Sequence, residues 1–248
     1  MSRLGKPRHA VYLLPNAFTT AALFAGFFAI LQAIAGQWEA AAWAILAAAV
    51  LDACDGRVAR WTNTQSSFGA EYDSLADVIS FGVAPALLMY EWKLEILGKF
   101  GLVAAFCYCA TTALRLARFN IQVGDADRRF FIGFPSPAAA LLAAAFVATA
   151  NTVMEAELFT AWLTAVVAIM LALTMISGVL YYSFKDFNLK KRVPFRYLAL
   201  FLLVVALVYQ FADNFMALLL TILVLYFLSG YAYAIWKFFT RRRTVPVE

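Results

Sequence analysis

Charge is scarce in this chain of 248 residues: Asp, Glu, Lys and Arg make up 14% of it, against about a quarter in a soluble globular protein. With 64% hydrophobic residues and a mean hydropathy of +0.77, that scarcity excludes a soluble domain. Only seven prolines in so apolar a chain exclude intrinsic disorder. Cysteine is limited to Cys54, Cys107 and Cys109, all in apolar or span-end sequence. An odd count cannot pair completely within one chain, Cys107-Tyr-Cys109 is a weak metal pattern, and buried reduced thiols are expected. The single histidine, His9, lies in a basic tail and receives no role. No internal repeat is found, which excludes pseudo-symmetric transporter halves.

What the chain does have is a series of apolar runs of about 20 residues, the length that crosses a bilayer as helix. They specify an all-α, polytopic transmembrane bundle of about eight spans. The spans fall near 13–34, 40–60, 69–90, 98–119, 135–153, 158–183, 197–212 and 215–237. The short connections leave no room for a second soluble domain, so residues 1–248 read as one integral-membrane domain. Arg3, Lys6 and Arg8 before an apolar stretch mimic a signal peptide. Leu13 to Ile34 is nevertheless long enough to span, and reads as an uncleaved first helix. On this topology 18 of the 20 Lys and Arg residues fall on one side of the membrane. Lys93 and Lys99 lie opposite, beside Glu91 and Glu95. That asymmetry places both termini in the cytoplasm and accounts for the net charge of +5 without nucleic acid.

The chemistry is concentrated in Leu51-Asp52-Ala53-Cys54-Asp55-Gly56-Arg57-Val58-Ala59-Arg60 and Gly69-Ala70-Glu71-Tyr72-Asp73-Ser74-Leu75-Ala76-Asp77. Asp52 and Asp55 share a helix face at the end of the second span, and Gly56 and Ala59 continue it. Gly69, Asp73 and Asp77 form one stripe on the third span. The residues between Arg60 and Gly69 suffice for a turn, so the two stripes can face each other near the cytoplasmic interface. Four ionised carboxylates in such a pocket repel, and a divalent cation offsets that repulsion. Hard oxygen ligands suit Mg²⁺, Mn²⁺ or Ca²⁺, and a pair of such ions clamps an in-line displacement at phosphorus. Small residues at Gly56 and Ala59 would let a phosphate ligand approach the backbone, and Arg60 could offset its charge. The bland alternative is that the acids pair with Arg57, Arg60, Arg115 and Arg118 as helix–helix glue. Ionisable groups inside a membrane are costly and mark function by default, which weighs against it.

The pattern Asp-x2-Asp-Gly-x2-Ala-Arg-x8-Gly-x3-Asp-x3-Asp, filled without departure by residues 52, 55, 56, 59, 60, 69, 73 and 77, resembles the signature of the CDP-alcohol phosphatidyltransferases. The resemblance implies that Asp52, Asp55 and Asp73 bind a dinuclear Mg²⁺ or Mn²⁺ centre. Asp77 would be the general base and could also touch metal. Gly56, Ala59, Arg60 and Gly69 would lie against the CDP moiety. Pro15-Asn16-Ala17-Phe18-Thr19 resembles the family's first-helix entry, which puts Asn16 and Thr19 beside the CDP-diacylglycerol as well. Arg115-Leu116-Ala117-Arg118-Phe119-Asn120, Gly133-Phe134-Pro135-Ser136-Pro137 and Tyr182-Ser183-Phe184-Lys185-Asp186 are similar to the branch of the family that uses serine as acceptor. By that resemblance the donor is CDP-diacylglycerol, the acceptor is L-serine, and the enzyme is a homodimer in the cytoplasmic membrane. Arg115, Arg118 and Asn120 would then hold the serine carboxylate or a substrate phosphate.

Two other functions compete. Within the same chemistry the acceptor could be glycerol 3-phosphate or inositol phosphate, which would want an extra basic pocket. From another class, the acidic stripe could line the path of a cation transporter, but the acids sit at one face with no partners at mid-depth in later spans. Arg115 and Arg118 could equally be topological anchors, and Asn16 and Thr19 helix caps. Lys185 to Arg196 and Arg241 to Arg243 read as lipid-headgroup and topology runs.

Overall fold

The computed structural model describes residues 9–62, 66–121, 130–154, 156–182 and 215–241. Helix α1 (His9–Ile34) turns at Gly36 into α2 (Trp38–Thr62). Next come α3 (Ser67–Asp77), a π-helical turn (Val78–Val83) and α4 (Ala84–Trp92), which together form one continuous rod. A short 3₁₀ turn (Leu94–Leu97) leads to α5 (Lys99–Ile121), followed by α6 (Ser136–Val153), α7 (Glu157–Ile176) and α8 (Phe215–Arg241). Helix α1 lies along α2, α2 and α8 both pack on α6, and α5 packs on α7. The core between them is built from small side chains: Ala41, Ala42 and Ala48 of α2 meet Ala139, Ala140, Ala143 and Ala144 of α6. Without a hydrophobic drive between helices in lipid, such residues stabilise a bundle by letting backbones come close. Large apolar side chains such as Phe24, Phe27, Leu102, Phe106 and Leu173 point outward instead.

Among the described residues, six helices are long and apolar enough to cross a membrane: Asn16–Ile34, Ser67–Trp92, Lys99–Ile121, Ser136–Val153, Glu157–Ile176 and Phe215–Lys237. The protein is a multi-pass helical membrane protein. The second expected span is helical too, as α2, but Glu39, Asp52, Asp55, Arg57 and Arg60 dilute its apolar character. The seventh, 197–212, lies outside the described residues. The sixth expected span runs on to residue 183, but the helix does not. It stops at Ile176, because Ser177 is extended (ψ 163) and Gly178 follows it. Residues Leu180–Tyr182 then form a strand, β2, antiparallel to β1 (Phe130–Ile132), with Phe131 opposite Tyr181.

The π turn has a local cause. Pro85 has no N–H, so it leaves the carbonyl four residues back, that of Phe81, without its helical donor. The fully buried Tyr108 of α5 supplies one: its hydroxyl donates to the Phe81 carbonyl at 3.1 Å. On the other side Ser80 donates to the Ala22 carbonyl of α1 at 3.2 Å. The turn that follows Asp77 is thus held from both neighbouring helices.

Candidate active site

Helix α3 begins at a true cap: Ser66 is extended and its hydroxyl accepts the Gly69 N–H at 3.0 Å. One turn beyond Gly69 comes Asp73, and Asp77 is the last residue of the helix. Across from them α2 carries Asp52 and Asp55. One carboxylate oxygen from each of Asp52, Asp55 and Asp73 lies within 4.8 Å of the other two. Asp55 is buried, whereas Asp52 and Asp73 are half-buried. Asp77 stands outside that trio, with its carboxyl against that of Asp52. Gly56 is half-buried on α2 next to Asp55. Ala59 and Arg60 occupy the last turns of α2, and their side chains lie outside the described residues.

Helix α1 fastens both acidic stripes. The Thr19 hydroxyl donates to Asp55 Oδ2 at 2.9 Å, with both residues buried. One residue on, the hydroxyls of Thr20 and Tyr72 bond each other at 2.9 Å, beside Asp73. Asn16 Oδ1 sits 3.5 Å from where a Cβ on Gly69 would be. The family resemblance implies Thr19 beside the CDP-diacylglycerol; in the structure its hydroxyl donates to a candidate metal ligand. The far end of α5 does similar work, since the Asn120 amide donates to Ser74 Oγ at 2.9 Å.

Arg115 and Arg118, grouped by the sequence, part company. Arg118 is exposed. Arg115 is only 9% exposed, and its Nη1 donates to the buried Ser136 Oγ at 3.1 Å. It lies within electrostatic reach of Asp77 and Tyr226 but takes a hydroxyl as its hydrogen-bond partner. Ser136 and Tyr226 are participants that the sequence reading missed. The Gly133-to-Pro137 turn was visible as a helix start, yet nothing in one sequence shows what a serine there will touch.

The donor set decides what could bind. Three carboxylates offer hard, anionic oxygens that would repel one another without a cation. Half-burial excludes part of the solvent while leaving the cluster open to a ligand. A divalent cation of the Mg²⁺ or Mn²⁺ type fits such a set; a soft metal, which prefers thiolate or imidazole, does not.

A family model described as CDP-alcohol phosphatidyltransferase matches residues 12–170, which include every one of these carboxylates. The chain belongs to that family. It is 42% identical over 186 residues to a Helicobacter pylori protein named CDP-diacylglycerol–serine O-phosphatidyltransferase, covering 74% of this chain and 78% of the relative. A Mycobacterium bovis protein of the same name is 43% identical over 149 residues, 56% of this chain and 51% of the relative. An archaetidylserine synthase of Methanothermobacter thermautotrophicus is 34% identical over 170 residues, 68% and 69% of the two chains. As a CDP-alcohol phosphatidyltransferase, the chain is a membrane-embedded transferase with an acidic cluster suited to a divalent cation.

Proposed function

We propose that the protein transfers the phosphatidyl group of CDP-diacylglycerol to the hydroxyl of L-serine, giving phosphatidylserine and CMP. The observation that carries the reaction type is the meeting of Asp52, Asp55 and Asp73, with Asp77 against them, at one end of the bundle. The choice of serine rests on the names of the relatives described above. Asp52, Asp55 and Asp73 would hold the cation, with Asp77 beside Asp52. When bound, a divalent cation neutralises pyrophosphate charge and stabilises the departing CMP.

The residues of the chain do the rest. Thr19 orients Asp55, and Asn16, Gly56, Ala59, Arg60 and Gly69 form the proposed bed for the CDP head, while the acyl chains remain in lipid. Asp77 takes the proton from the serine hydroxyl as its oxygen attacks the phosphorus that bears the diacylglycerol. A new O–P bond forms, the bond from that phosphorus to the CMP oxygen breaks, and CMP leaves with the electron pair. Arg115, Arg118 and Asn120 are the candidates for holding the acceptor. On the charge asymmetry of the loops, the site opens to the cytoplasm from the cytoplasmic membrane. The Lys93–Glu157 ion pair, 3.5 Å long, joins the two loop ends expected on the opposite face. By resemblance, the whole chain acts as one domain within a homodimer.

The deciding experiment is CMP release by the purified protein from CDP-diacylglycerol with Mg²⁺ or Mn²⁺. Release is expected with serine and not with glycerol 3-phosphate or inositol phosphate. Release driven by a phosphorylated acceptor in place of serine would refute the assignment of the substrate.

A further inference from the structure

The Gly133-Phe134-Pro135-Ser136-Pro137 turn has no part in the transfer as described, yet it is among the most firmly held segments. Gly133 has φ +78, and a Cβ there would collide with the Met175 carbonyl oxygen, so no other residue fits without displacing the backbone. Its N–H donates to the Val179 carbonyl at 2.8 Å, and that of Phe134 donates to the Thr174 carbonyl at 3.1 Å. Phe134 is completely buried, edge-on to Tyr181 at 5.1 Å and to Phe227 at 5.3 Å. The turn is thereby locked to the ends of α7 and β2 and to α8. What it delivers is Ser136, 1% exposed, whose hydroxyl takes Arg115 Nη1.

That bond secures one nitrogen of the guanidinium and leaves another unsatisfied. Among the described residues, Arg115 Nε is buried without a hydrogen-bond partner. A buried N–H of a charged group left unpaired is more costly than an unpaired neutral one, and its retention calls for a reason. Supplying an anionic oxygen from a bound substrate is one. Nε–H lies on the edge of the guanidinium that meets a carboxylate side-on. Position narrows the ligand further. A cation held by Asp52, Asp55 and Asp73 would serve the pyrophosphate of the donor, whereas Arg115 lies within electrostatic reach of Asp77. Serine is small, so a receptor for its carboxylate must lie within a few ångströms of the base that takes its hydroxyl proton.

We propose that Arg115, held in place by Ser136, receives the carboxylate of the serine acceptor through its Nε–H and so determines acceptor choice. Arg115 is then a substrate-binding residue and Ser136 a positioning residue. This rests on the reading of serine as acceptor. Ethanolamine, which is serine without its carboxylate, is the natural probe. Full-length wild type, Arg115→Met and Ser136→Ala are compared in CMP release from CDP-diacylglycerol, with serine and with ethanolamine as acceptors. Wild type should favour serine. Arg115→Met should raise the KM for serine about 10–100-fold, the worth of a charge-assisted bond. The KM for CDP-diacylglycerol should stay within a factor of about two, and ethanolamine use should fall far less than serine use. Ser136→Ala, the milder change, should shift the serine-to-ethanolamine ratio in the same direction by about 3–10-fold. A purely structural role would depress both acceptors together, and that result would overturn the proposal. So would a rise confined to the KM for CDP-diacylglycerol, which would put Nε on a donor phosphate. Failure of the wild type itself to use serine would instead overturn the underlying assignment of function.

Discussion

Replacing Thr19 by Val tests whether α1 acts on the cation site or on the nucleotide. The substitution exchanges a hydroxyl for a methyl of similar size, so packing between α1 and α2 is nearly conserved. What disappears is the 2.9 Å bond to Asp55 Oδ2, between residues only 4% and 6% exposed. A hydrogen bond to a charged group at so buried a place is worth about 1.5–3 kcal/mol. Its loss lets the carboxylate rotate away from its neighbours, and an orienting partner of a metal ligand typically contributes about 10–100-fold in metal affinity. The expected outcome is therefore a half-saturating Mg²⁺ concentration raised by about that factor in Thr19→Val. Thr19→Ser, which keeps the hydroxyl, should stay close to wild type. The assay is CMP release over a Mg²⁺ titration at saturating CDP-diacylglycerol and serine. An unmoved Mg²⁺ curve together with a raised KM for CDP-diacylglycerol would refute the reasoning and return Thr19 to the nucleotide.

Chelation by excess EDTA should abolish turnover, with recovery on adding Mg²⁺ or Mn²⁺; full activity in EDTA would remove the cation from the mechanism. Asp77→Asn should lower turnover by about 10²–10⁴, the usual weight of a general base, while CDP-diacylglycerol still binds. Asp52→Asn should instead weaken the response to metal itself, and rescue of both variants by excess metal would make Asp77 a ligand rather than the base. Gly56→Leu, which places a bulky side chain next to Asp55, should reduce CDP-diacylglycerol affinity in a protein whose melting temperature is little changed. Tyr108→Phe should lower stability by about 1–3 kcal/mol, read from thermal unfolding in detergent, because it orphans the Phe81 carbonyl.

The acidic stripes were legible because helical spacing alone puts Asp52 with Asp55 and Asp73 with Asp77 on single faces. A short connection between two spans then brings the faces together. The same logic is silent on Thr19. Its partner lies on another helix, 36 residues away, and a lone threonine in an apolar run carries no signal of what it will meet. Arg115 and Arg118 show the limit from the other side. Three positions apart, they read as a pair, but the bundle buries one and exposes the other. The end of α7 was missed because residues up to 183 are apolar enough to continue a span. The Ser177-Gly178 break was there to be read, but the pairing of β2 with a strand some 50 residues earlier was not.

Pro85 connects the packing of the third span to its chemistry. A proline four residues after Phe81 removes a helical bond at the depth where the acidic stripe ends, and an α-helix there would kink or lose an N–H partner. The π turn spreads that defect over Val78–Val83, and Tyr108 and Ser80 satisfy or anchor what it exposes. A π turn carries more residues per turn than an α-helix, so the faces before and after it are out of register. The stripe of Gly69, Asp73 and Asp77 can consequently point at Asp52 and Asp55 while Ala84, Leu88 and Met89 point into the core. A regular helix would couple those two directions and force one face to serve both purposes. The span can be close-packed along α4 and still present carboxylates along α3, because the segment between them absorbs the difference in rotation.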